Sequence, residues 1–160
     1  MKILTFGEIM LRLKTPEHLR IVQANGFEAS YGGAESNVAV SLSTLGDDAA
    51  FLTKLPDNPV GNAAFNELRR YGVDTSRILR GGPRLGIYYF EKGNDIRPTS
   101  VLYDRAGSAL AKASATEFDW EALLSGIDIF FFSGVTPAIS PSVEQAVSNA
   151  LNYCHTHGIT

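Results

Sequence analysis

The chain has 160 residues, 44% of them hydrophobic and 19% charged, with a net charge of −3 at pH 7. This length suits about one domain with a sizeable core, and the composition excludes a disordered segment. Scattered Lys and Arg give neither a nucleic-acid footprint nor a membrane-surface patch, and runs such as Ile127 to Phe132 are too short to span a bilayer. Cys154 is the single cysteine, so no intrachain disulfide can form. With no signal peptide visible, the cytoplasm is the expected compartment.

Ile3-Leu4-Thr5-Phe6 reads as a buried strand, and Met10-Leu11-Arg12-Leu13-Lys14 alternates as a half-exposed strand does, closed by Pro16. Phe27 to Tyr31 is expected to pair with that second strand. Next comes Tyr31-Gly32-Gly33-Ala34-Glu35-Ser36-Asn37-Val38-Ala39, two glycines running into a helix with Asn37 in its first turns. The pair predicts a turn at positive φ and a close approach of a ligand to the main chain. The helix start adds unpaired N–H groups. No Lys-Ser/Thr pair of a P-loop accompanies it, so the hydroxyls of a small polar molecule suit the turn better than a phosphate. The helix is expected to turn Val38, Leu42 and Leu45 inward and to end at Gly46. Ala49 to Thr53 reads as a buried strand, and Gly61 to Tyr71 as a helix with Ala64, Leu68 and Tyr71 inward. This alternation predicts a parallel sheet covered by helices.

Leu85 to Glu91 and Ser100 to Tyr103 break the rhythm. They flank Lys92-Gly93-Asn94-Asp95 and read as a hairpin. With Met10 to Leu13 and Phe27 to Tyr31 they predict a small second sheet. A helix is expected from Thr116 to Ser125, with Asp119 and Glu121 favourably placed in its first half. Ile127 to Phe132 reads as a central parallel strand. Ser140-Pro141 opens a last helix with a Ser N-cap and Pro at the first helical position, and His157-Gly158-Ile159-Thr160 reads as the start of a further strand.

Several short motifs in this order carry a resemblance. They are Lys2-Ile3-Leu4-Thr5-Phe6-Gly7-Glu8, the Gly-Gly-Ala-Glu-x-Asn turn, Leu45-Gly46, Lys54 to Gly61, and Tyr71-Gly72-Val73-Asp74-Thr75. The chain resembles the PfkB-type (ribokinase-like) carbohydrate kinases over essentially its whole length. Gly86-Ile87-Tyr88-Tyr89, Tyr103 to Ala109 and Phe132 to Ala138 make it most similar to the 2-keto-3-deoxygluconate kinase branch. The resemblance implies a three-layer α/β/α fold with a small β-sheet lid over the sugar site, often a dimer contact. The lid segments would be residues 10–14, 27–31, 85–91 and 100–105. It also implies ATP and Mg2+ as cofactors of the full-length enzyme, bound mainly by residues outside this chain. Family members run to about twice this length, and their Gly-Ala-Gly-Asp motif with the catalytic Asp lies in the second half. That motif does not occur here. The chain therefore reads as an N-terminal half, incomplete at its C-terminus, with no catalytic residue of its own. Alone it is expected to be inactive, and marginal in stability or self-associating.

Gly32 and Gly33 would offer backbone N–H groups to a sugar, and Asn37 a donor and an acceptor to a hydroxyl. The resemblance aligns Gly33 with a substrate-contacting glycine and Asn37 with a sugar-site residue; otherwise Asn37 caps or bonds within its own helix. Arg105 lies two residues beyond Tyr103, which puts both on one strand face and Asp104 on the other. An Arg fork matches a carboxylate, and the resemblance assigns Arg105, Tyr103 and Tyr88 to a sugar acid. The alternative is a solvated Arg beside two packed tyrosines. Glu8 ends the first strand where open α/β sheets bind ligands, and either accepts from a sugar hydroxyl or anchors the lid. His155 and His157 diverge on a helix and fit its C-terminal dipole better than a metal, so no metal site is expected. Cys154 reads as a core residue. Three other functions stand beside this one. A fructokinase or another ribokinase-like sugar kinase is the nearest alternative. A Rossmann domain fails because Gly7-Glu8-Ile9-Met10 has no Gly-x-Gly-x-x-Gly. A truncated non-catalytic binding or assembly module is the third.

Overall fold

The computed structural model describes residues 1–160. Strands β1 (Lys2–Phe6), β2 (Met10–Lys14) and β3 (Glu28–Gly32) precede helix α1 (Ala34–Leu45). Then come β4 (Asp48–Leu52), β5 (Lys54–Leu55), α2 (Pro59–Arg70), β6 (Leu79–Arg80), β7 (Ile87–Glu91) and β8 (Ser100–Asp104). The chain closes with α3 (Trp120–Leu124), β9 (Ile129–Phe131) and α4 (Pro141–His157). The main sheet is parallel, in the order β4-β1-β9. Because strand side chains alternate, it feeds two cores. Leu4, Phe6, Ala50, Leu52 and Phe130 pack with α3 and α4 on one face. Phe51 packs with Ala39 of α1 and with Ala64 and Leu68 of α2 on the other. Helices thus cover both faces, the α/β/α layering expected.

The second sheet runs in the order β3-β2-β7-β8. Its outer pairs are antiparallel, while β2 and β7 are parallel. Since β2 begins only a few residues beyond β1, the small sheet sits at the carboxyl end of the main strands, where open α/β sheets form ligand crevices. One register row crosses it as Ser30, Arg12, Tyr88 and Tyr103, and side chains in one row share a face.

Four expectations need correction. Helix α1 buries Glu35, Ser36 and Ala39, while Leu45 is 81% exposed. A buried hydrogen-bond network around Glu35, described below, rotates a polar stripe inward. Tyr71 lies beyond α2 and is 43% exposed. The helix expected over Thr116–Ser125 is a turn at Ala115–Glu117 followed by the short α3. Phe118 leaves the helical path to enter the core, where its ring stacks on Trp120 at 5.5 Å, and the Asp119 carboxylate caps α3 by accepting from the Ala122 N–H. Strand β9 is also shorter than expected: at its start the Asp128 carboxylate, in place of a backbone carbonyl, accepts from the Lys2 N–H at 2.7 Å. Beside β9, Phe130 N–H donates to Thr160 at 2.8 Å and Thr160 N–H donates to Asp128 at 3.1 Å.

Candidate functional site

A cavity of about 270 Å³ lies between the small sheet and the start of α1. Gly33, Asn37, Tyr88, Tyr103 and Arg105 all line it, so residues far apart in sequence meet in one space. Gly32 borders an adjoining space with Asn37. A methyl group on Gly32 would lie 3.3 Å from Asn37 Oδ1 and 3.7 Å from the Tyr88 hydroxyl. Tyr88 and Tyr103 are cross-strand partners with ring centroids 5.8 Å apart. Asn37 is exposed, and the N-cap of α1 is Gly33, with no side-chain cap bond.

The glycines act differently from the expected positive-φ turn. Gly33 is extended, with φ −174°, a conformation open to any residue. What demands glycine there is space: a Cβ would lie 1.9 Å from the carbonyl oxygen of Glu8. The main chain leaving β1 and the mouth of α1 are in van der Waals contact at this point.

Glu8 is 5% exposed, and its carboxylate presses on Gly86, where a methyl would sit 2.9 Å from Oε1. Its Oε2 lies 2.5 Å from Arg105 Nη2. Neither Glu8 oxygen has an aligned hydrogen bond, nor has Arg105 Nε, so the pair is a charge contact rather than a closed fork. Arg105 itself lies just past the end of β8 and is not on the strand. It also borders a larger space of about 580 Å³ with Tyr103, Lys112 and Ser140. Asp104 goes elsewhere: Arg84 meets its two carboxylate oxygens at 2.8 and 3.0 Å and its carbonyl at 3.0 Å. The Arg84 hydrogen bond holds the Asp104 carboxyl below the usual range, and the same bond raises the Arg84 guanidinium. This bidentate clamp fixes the root of β8 beside Arg105.

Two residues of the site escaped sequence reasoning. Arg12 lines the cavity with its guanidinium 5.5 Å from the Phe90 ring, although its place in an alternating strand suggested only a solvated face. Glu35 is 2% exposed. It accepts from the Ser133 N–H at 3.0 Å and from the Ser133 hydroxyl, and the Thr136 hydroxyl lies 2.9 Å from it. The Thr5 hydroxyl donates to its carbonyl at 3.1 Å. Glu35 thus ties the mouth of α1 to β1 and to the loop after β9, and Gly7 makes room for it, since a methyl there would lie 2.1 Å from Oε2. Its signal was its position inside the Gly-Gly-Ala-Glu turn. Glu35→Ala strands the Ser133 N–H and hydroxyl, while the Thr136 hydroxyl keeps the Phe6 carbonyl as acceptor, and is expected to cost about 2–4 kcal/mol. Glu35→Gln, which keeps an acceptor, should cost less. Urea midpoints of the two variants measure the difference.

His155 and His157 are exposed in the last turn of α4, and the His157 ring stacks on Tyr153 at 3.9 Å. Cys154 is buried, as expected of a core residue, and burial pushes its thiol pKa up. No three His, Cys, Asp or Glu side chains gather as metal ligands would. No helix is long and apolar enough to cross a membrane.

The chain is similar in sequence and in fold to known proteins. The chain is 41% identical over 159 residues to a 2-dehydro-3-deoxygalactonokinase of Haloferax volcanii, an alignment covering 99% of the chain and 50% of that protein. It is 28% identical to a 2-dehydro-3-deoxygluconokinase of Bacillus subtilis, covering 98% of the chain and 48% of that protein. The crystal structure of 2-dehydro-3-deoxygluconokinase from Thermotoga maritima superposes with a TM-score of 0.97 at 50% identity, covering all of this chain and 49% of that one. A sugar kinase of Pyrococcus horikoshii, solved in complex with ATP, superposes at 0.83 with 25% identity over 95% of the chain and 49% of that one. The chain spans about half the length of the curated relatives it matches. The profile of the pfkB family carbohydrate kinases matches residues 1–159, and the chain belongs to that family.

Proposed function

We propose that the intact protein carrying this chain is an ATP-dependent sugar-acid kinase, and that this chain supplies the acceptor site beneath a lid formed by the small sheet. The proposed substrate is 2-keto-3-deoxygluconate (the 2-dehydro-3-deoxygluconate of its relatives' names), phosphorylated to its 6-phosphate. The observation that carries this reading is the single cavity shared by Gly33, Asn37, Tyr88, Tyr103 and Arg105. Asn37 and the two tyrosine hydroxyls suit sugar hydroxyls, and the Arg105 fork suits the carboxylate. Gly32 and Gly33 bring the main chain to the wall of the site.

Phosphoryl transfer rests on positioning and charge stabilisation. Here the chain positions the acceptor. Glu8, half a molecule away in sequence, holds Arg105 from the floor and is a positioning residue. The cavity lining holds two arginines and no Asp or Glu, which suits an anionic acceptor rather than a metal ion. ATP and Mg2+ fall, in this reading, to residues other than those of this chain. Exposed Leu102 on β8, with Ile96 at the hairpin tip, supports a lid that contacts a second copy of the protein.

One observation favours a neutral acceptor such as fructose: Arg105 is already paired with Glu8. An ADP-release assay on the intact protein separates the two readings. The expected result is turnover of 2-keto-3-deoxygluconate well above that of fructose, and none by the 160-residue chain alone. Equal or better use of fructose would overturn the acid assignment.

A further inference from the structure

The lid carries a second cation without an ion-pair partner: the exposed Glu28 carboxylate feels its charge but is closed on Lys14. Arg12 lines the same cavity as Arg105 and stands in register between Ser30 and Tyr88. Its Nε is buried without a hydrogen-bond partner, and its guanidinium joins no ion pair. The other cation on that face of β2, Lys14, is already held by Glu28 at 2.8 Å. Arg105 is matched by Glu8 in the same way. A neutral ligand entering this space meets a site with one surplus positive charge, and an anionic ligand cancels it.

We infer that Arg12 is a specificity-determining residue, supplying the net positive charge by which the site prefers an acid over a neutral sugar. The division of labour follows from the two environments. Arg105, drawn to Glu8, presents its remaining donors to the cavity, but the Glu8–Arg105 pair carries no net charge. Arg12, resting on the Phe90 face rather than on an anion, contributes field without a prescribed geometry. The inference rests on the sugar-acid reading above and answers the objection that Arg105 is already neutralised.

The test is the kinetics of Arg12→Gln in the intact protein, with 2-keto-3-deoxygluconate and a neutral sugar as acceptors and Arg105→Ala as reference. The expected result is a KM for the acid raised about tenfold more than the KM for the neutral sugar. Arg12→Lys should restore most of the loss, because charge rather than a fork is required. The salt dependence of the acid's KM should weaken in Arg12→Gln. Melting temperature and light-scattering mass report whether either variant misfolds or changes its assembly. Unchanged acid kinetics in Arg12→Gln, equal losses on both sugars, or a loss that tracks a change in mass would overturn the inference. If Arg105→Ala remains acid-selective in its effect while Arg12→Gln is silent, the sugar-acid reading stands and only the role of Arg12 falls. If the wild-type protein does not use the acid, the reading itself has failed.

Discussion

Gly33→Ala is expected to be among the most damaging single-methyl changes in the chain. The added carbon would sit 1.9 Å from the Glu8 carbonyl oxygen, 3.0 Å from its carbon and 3.2 Å from Ser36 Oγ. Two of these neighbours are backbone, so no rotamer change relieves the clash, and α1 must move away from β1 by about an ångström. Overpacking of this kind costs about 1–3 kcal/mol, and an immovable partner places Gly33 at the upper end. For a domain of this size that is a fall in melting temperature of roughly 6–12 °C. The displacement also carries Asn37, whose N–H donates to the Gly33 carbonyl at 2.9 Å, so acceptor affinity should fall with stability. Gly32→Ala is the internal control. Its methyl meets only the ends of the Asn37 and Tyr88 side chains, so it should melt near wild type while still weakening the acceptor. Equal melting temperatures for Gly33→Ala and wild type would show that the contact is easily relieved.

Arg105→Ala should have the largest effect on chemistry. Loss of a charged hydrogen bond to the acid costs about 1.5–3 kcal/mol, roughly ten- to a hundred-fold in kcat/KM. The structure adds a second penalty. Removing Arg105 leaves Glu8, with 4% of its side chain exposed, as an unpaired carboxylate beneath the cavity. That lowers stability by roughly 2–4 kcal/mol, less than for a wholly buried pair because Arg105 is a quarter exposed. It also sets a negative charge against the incoming acid. The double change Glu8→Gln with Arg105→Ala should therefore recover stability and part of the acid kcat/KM relative to Arg105→Ala alone. Arg105→Lys should recover only part, since an ammonium keeps charge but not the fork. Tyr103→Phe should cost less, losing one hydroxyl and keeping the ring. Equal losses on acid and neutral sugars would mean that Arg105 holds the lid rather than the carboxylate.

Period and punctuation made the architecture readable. Alternation in β2, the glycine after α1 and the Ser140-Pro141 start of α4 are local signals, and each element stands where they put it. The inward face of α1 was not readable, because Glu35 is buried by partners about a hundred residues away rather than by its own hydrophobicity. The Glu8–Arg105 contact is long-range in the same sense. A sequence shows that a carboxylate and a guanidinium exist but not that folding will join them. The site residues were named largely through resemblance, and the geometry supplied their company: Arg12 as a neighbour, Glu8 as a brace.

The parallel pairing of β2 with β7 has a consequence in time rather than in space. β7 and β8 can meet as a hairpin without help, and β2 needs only the short excursion to β3. Joining the two halves, however, closes a loop that contains all of α1, β4 and α2. Closing so long a loop before its interior has ordered carries a large entropic cost, and parallel strands gain slightly less per residue than antiparallel ones. The small sheet is therefore expected to complete only after the layered body beneath it has formed. In the reverse direction its central seam is the natural place for the native protein to open first, at a lower free energy than global unfolding. If the small sheet covers the acceptor as proposed, that cover is expected to form late and to open early.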